Sequence, residues 1–159
     1  MSSASERRGG TAVGMINDYD GIEAAAVIYL RMWFDGPQER RNMHEDLHQS
    51  LGAAKAGKAF QALGDLFSLC ATHGRRPLMR HSSTCKCVGA DEACFARFIC
   101  AAAEGEREDA MLIATLIVRP DVAPIITALA TDFGLALKQM NLAALKVAMP
   151  QQYVPSTLH

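Results

Sequence analysis

The chain has 159 residues, half of them hydrophobic and 6% aromatic, with a formal net charge of −1. That length suits one domain with a substantial core, and the near-neutral charge removes any global electrostatic drive toward nucleic acid or anionic lipid. The strongest apolar run, MLIATLIV, falls far short of the ~20 residues of a membrane span, and the arginines of MSSASERRGGTAVG are not followed by the apolar stretch of a secretory signal. The expectation is a cytoplasmic protein with no nucleic-acid or membrane partner, whose five cysteines are thiols, metal ligands or reactive groups rather than structural disulfides.

In chain order, residues 1–15 carry no periodic apolar pattern and read as a flexible arm, 16–149 as a helical domain and 150–159 as a tail. Asp20 precedes a first helix with Ile22, Ala26, Tyr29 and Trp33 at helical spacing. Asp35-Gly36-Pro37 breaks the chain, and Pro37 suits the first turn of a second helix, where its missing N–H costs nothing. That helix carries Met43, Leu47, Leu51 and Ala54 on one stripe. After the weak signal GAAKAG, a third helix turns Phe60, Leu63, Phe67 and Cys70 inward and ends at Gly74.

No period runs from Arg75 to Ala90. Asp91 then reads as the N-cap of a fourth helix, Glu92 to about Glu104, ended by Gly105. A fifth opens with acidic residues suited to the positive end of the helix dipole. It continues through MLIATLIV, whose all-round hydrophobicity predicts the central, most buried element. Asp121 is expected to cap a sixth helix bearing Val122, Ile125, Ile126, Leu129, Phe133, Leu137 and Met140, with a short further turn near Leu142 to Met149. No strand stands out. The fold class is all-α, a compact bundle of five to seven helices with one long irregular loop.

That loop, HGRRPLMRHSSTCKCVGADEACF, is too long and too rich in reactive side chains for a plain connector. His81, Cys85, Cys87 and Cys94 are soft donors of the kind zinc takes in tetrahedral sites, and His73 is a substitute for any of them. Cys-x-Cys is less specific than paired Cys-x2-Cys knuckles, so a redox or sensor pair formed by Cys85 and Cys87, or no special role, stands beside the zinc reading. Cys70 and Cys100 fall on helices and read as core. Arg75, Arg76 and Arg80, with Lys86 nearby, suit a small anionic ligand or an acidic partner protein. The ordinary alternative pairs them with Glu104, Glu106, Glu108 and Asp109. Positive neighbours would lower a cysteine pKa, but Asp91 and Glu92 oppose this at Cys94.

His44 to His48 read HEDLH, matching H-E-x-x-H, in which two histidines on one helix face grip zinc and Glu45 serves as base. A third ligand at a familiar distance and a second Glu-x-x-His are both lacking, so a solvated helix face is the stronger reading. His44 or His48 could still complete a site begun in the loop. The leading expectation is a small helical binding or regulatory module whose 73–94 loop is organised by a zinc-like metal. The alternatives are a thiol redox protein, a metal-dependent hydrolase using the HEDLH helix, and a plain helical interaction protein, in any case with homo-oligomerisation open.

Overall fold

A computed structural model describes residues 12–148, with side chains through residue 142. The rest of the expected arm, residues 1–11, and the 150–159 tail lie outside the described residues. Six α-helices make up most of it: α1 Gly21–Phe34, α2 Pro37–Leu51, α3 Ala53–His73, α4 Ala90–Ala103, α5 Arg107–Ile117 and α6 Ala123–Ala148. The all-α bundle expected from the periodicity is the observed architecture. None of the described helices is long and apolar enough to cross a membrane.

Local chemistry explains most boundaries. Asp20 accepts the Glu23 N–H at 2.9 Å and so caps α1. Pro37 opens α2 after Gly36, whose φ of 118° suits glycine. Gly52, at φ 84°, separates α2 from α3. The Ala-rich segment after it is helical from Ala53, earlier than expected, because alanine's propensity carries a turn with little to bury.

The last helix is likewise continuous to Ala148, rather than ending in a separate turn near Leu142. It starts two residues past Asp121, which does not take the expected capping position. The Asp121 carboxylate lies 3.7 Å from Arg119 Nε instead. Asp91 is not the cap of its helix either. The chain turns helical at Ala90, with Gly89 at the N-cap position.

A two-stranded sheet corrects the strand-free expectation. β1 (Ala12–Met15) pairs antiparallel with β2 (Cys87–Gly89), with an irregularity between Ala12 and Gly14. Strands this short, paired across the chain, leave no alternating pattern to detect. The Ile16 N–H extends the pairing to the Lys86 carbonyl at 2.8 Å.

The second correction concerns burial. MLIATLIV is not the core helix: α5 buries Ala110, Ala114 and Ile117, while Leu112 and Leu116 are each 68% exposed. The central place belongs to α4, with nine of its fourteen residues buried. It packs on α1, α5 and α6. Hydrophobicity on all sides would have marked burial had α5 been surrounded, but it lies at the margin, against α4 and α6.

The α4–α6 contact is close because small residues meet there. A Cβ built on Gly134 would fall 2.8 Å from the Ile99 carbonyl oxygen and 2.9 Å from Ala103 Cβ. Alanine's better helix propensity, about 1 kcal/mol, would therefore be outweighed by overpacking, typically about 1–3 kcal/mol. Gly134→Ala is expected to lower the denaturant midpoint at an unchanged m-value. A midpoint at or above wild type would show that the two helices can separate at no cost.

Candidate functional site

The irregular loop between α3 and α4 is organised from beneath by one buried ion pair. Arg31 on α1 and Glu92 on α4 are both buried, with Arg31 Nε 2.7 Å and Nη2 2.9 Å from the Glu92 carboxylate oxygens. The same guanidinium donates from Nη1 to the Cys85 carbonyl and from Nη2 to the Cys87 carbonyl, both at 2.6 Å. Glu92 in turn accepts the backbone N–H of His81 at 3.2 Å and of Gly89 at 3.0 Å. Two charges thus hold four backbone groups of one loop.

Neither residue was singled out in the sequence for this role. Arg31 lies on the helix that carries the Ile22, Ala26 and Tyr29 stripe, and Glu92 resembles any acidic residue in a first helical turn. Their separation of 61 positions left no local signal.

The expected donors are distributed as follows. Cys85, Cys87 and Cys94 are half-buried and outside any disulfide, and His81 is buried at 3% exposure. Neither ring nitrogen of His81 has a hydrogen-bond partner among the described residues. His73 closes α3, with its Nδ1 2.9 Å from Arg119 Nη2. Among the described residues, the trio of potential ligands lying within 4.8 Å of one another is Asp20, Glu23 and Cys100, not a set from the loop. In that trio Asp20 is already the α1 cap, and burial, followed by Asp20 and Glu23, raises the Cys100 pKa.

On α2, His44 packs edge-on against Phe60 at 4.9 Å, while Glu45 and His48 are exposed. The HEDLH face therefore reads as one aromatic contact plus solvated groups.

Burial and Asp91 raise the Cys94 pKa despite the opposing pull of Arg76. Burial alone pushes Cys70 up to about 12. Both thiols stay protonated at neutral pH, the unreactive form.

The three arginines do not take the expected acidic partners. Arg76 makes a bidentate pair with Asp91, at 2.7 and 2.6 Å, and Asp91 also accepts the Met79 N–H. Burial pushes the Asp91 carboxyl up, but these bonds more than offset it and hold the group below the usual carboxylate range. Arg75 donates to the Thr115 carbonyl at 2.6 Å. Arg80 lies over the Phe34 ring at 4.9 Å and donates to the Phe34 carbonyl at 3.2 Å. Glu104 and Glu106 pair with Lys138 and Arg97 instead.

Arg76 and Arg80 line a cleft of about 160 Å³ whose apolar wall includes Phe34, Phe67, Leu78 and Ile117, with Cys70 also exposed to it. Because its thiol stays neutral, the wall around Cys70 carries no charge. Asp91 compensates Arg76, whereas Arg80 has no carboxylate partner among the described residues. The cleft therefore joins an apolar interior to one uncompensated cation.

No family model, curated protein or solved structure matches the chain.

Breaking a buried ion pair leaves one charge unpaired, at a cost of about 3–5 kcal/mol. Arg31→Met and Glu92→Gln are each expected to destabilise the fold on that scale in denaturant melts. Backbone amides between residues 79 and 89 should exchange with solvent faster than those of α4. Wild-type loop protection in both variants would show that the pair does not hold the loop.

Proposed function

We propose that the protein is a small helical binding module whose cleft beside the 73–94 loop takes an amphipathic monoanion, such as a short acyl carboxylate. The supporting observation is the pairing of an apolar wall with Arg80, a cation that lacks a carboxylate partner among the described residues. In this reading the hydrocarbon end lies against Phe67 and Leu78, and the carboxylate meets the guanidinium, which suits it geometrically. The cleft volume favours short chains over long-chain lipids.

Trp33 is the only tryptophan in the chain, and its ring lies 5.8 Å from that of Phe67, so its fluorescence reports on cleft filling. Titration with hexanoate is expected to change that signal saturably. Hexanol should bind about ten- to a hundredfold more weakly, since a hydrogen bond to a charged group contributes about 1.5–3 kcal/mol. Arg80→Gln should bring hexanoate down to the level of hexanol. Equal affinity for acid and alcohol in the wild type would reject the reading.

A second reading keeps a soft-metal site in the loop, and His81 is what favours it: a buried imidazole whose ring nitrogens have no hydrogen-bond partner among the described residues, followed within the same loop by Cys85 and Cys87. It requires the side chains to rearrange around the ion. Stoichiometric zinc in the purified protein, lost in both Cys85→Ser and Cys87→Ser, is its expected outcome by elemental analysis. Zinc-free protein whose melting temperature ignores a chelator would reject it.

A further inference from the structure

The two helices joined by Arg31 and Glu92 meet again at their other ends, and there the charges do not balance. Asp20 and Glu23 stand at the start of α1, and Cys100 stands in the last turn of α4. They bring two carboxylate oxygens and one sulfur within 4.8 Å of one another.

Acidic residues at a helix start are ordinary, because they face the positive end of its dipole. One oxygen of Asp20 is accounted for in this way, by the Glu23 N–H at 2.9 Å. The dipole does not account for the thiol. Cys100 comes from a different helix, is 5% exposed, and lies outside any disulfide. Its sulfur faces the two acids and makes no hydrogen bond among the described residues.

The crowding of negative charge shows in the proton affinities. Burial, then the charge of Asp20, lifts the Glu23 carboxyl, and a hydrogen bond to the Asp20 side chain adds to this. Burial, then Asp20 and Glu23, lifts the Cys100 thiol. Arg97 opposes both shifts, one helical turn before Cys100, but its guanidinium is paired with Glu106 at 3.3 Å. Glu104, which also acts on Cys100, is paired with Lys138. A cation placed among the three donors would meet two carboxylates and a buried sulfur directly.

We propose that Asp20, Glu23 and Cys100 form a binding site for one divalent cation of the zinc type. The second Asp20 oxygen, a Glu23 oxygen and the Cys100 sulfur are its ligands, and Asp20 keeps its cap. The site lies apart from the cleft and from the 73–94 loop, and it rests on neither of the readings above.

The donor set selects the ion. Zinc takes thiolate and carboxylate together in tetrahedral sites. Calcium requires about six to eight oxygens and magnesium an octahedral shell of them, so a sulfur among three donors favours the softer ion. As the sulfur–metal bond forms, the thiol proton leaves to solvent. Asp20 is exposed, so the fourth position is open to water. The bound ion joins the start of α1 to the end of α4 and stabilises the fold by mass action.

Zinc titration of the chelator-stripped full chain by calorimetry tests the proposal. It is run on the wild type and on the double variant Cys85→Ser with Cys87→Ser, which removes two of the loop donors. Both chains should bind about one ion at this site, with affinity rising about tenfold per pH unit near neutrality because one thiol proton is released. Excess calcium should not compete. Cobalt in place of zinc should give a thiolate charge-transfer band in the near ultraviolet, lost in Cys100→Ser. Glu23→Gln and Asp20→Asn should each weaken zinc binding at least tenfold, and asparagine keeps the cap. Should Cys100→Ser fail to melt cooperatively, Glu23→Gln, at a half-buried position, carries the same test. No binding by the loop double variant overturns the proposal and leaves any wild-type zinc to the loop. Displacement by calcium, an affinity independent of pH, or wild-type binding in Glu23→Gln also overturns it.

Discussion

The Arg31–Glu92 ion pair is the constraint on which the irregular half of the molecule depends. Removing two ions from water costs several kcal/mol each, and their attraction offsets that cost only when their remaining hydrogen-bonding capacity is met. Here the loop supplies the missing solvation. The carbonyls of Cys85 and Cys87 serve the guanidinium, and the N–H groups of His81 and Gly89 serve the carboxylate. The loop is ordered because its backbone stands in for water around two charges. That gives a segment without hydrophobic periodicity a defined path across the end of the bundle.

With the loop so placed, Arg76 reaches Asp91 in the first turn of α4, and Arg80 reaches back over Phe34 at the end of α1. The cleft is the space left between these contacts and the aromatic layer formed by Trp33, Phe34, Phe67 and Phe95. Its single uncompensated cation follows from the same arrangement. Of the two arginines at the cleft, Asp91 pairs with Arg76, using both oxygens.

The helices were legible from sequence because 3.6-residue periodicity, an Asp cap and Gly or Pro stops are all local signals. Asp20, Pro37 and Gly74 mark boundaries that the fold keeps. What escaped was pairwise and distant. Nothing local to Arg31 or Glu92 marks them as partners, and three-residue strands carry no period. The rank order of burial escaped for a related reason. MLIATLIV is more apolar than the segment around Phe95, yet burial depends on how many neighbours surround a helix, and α4 has them on three sides. In the loop, the contacts made with Arg31 and Glu92 run through backbone carbonyls and amides, which composition does not reveal.

The pairing of β1 with β2 has a kinetic consequence. It joins segments more than seventy residues apart in the chain, whereas α1, α2 and α3 meet through short connections. Loop closure over such a separation is entropically expensive until the intervening helices have docked. Before that docking, the Arg31 guanidinium has only water for company. The strand ladder, the ion pair and the ordered loop therefore depend on one and the same long-range closure.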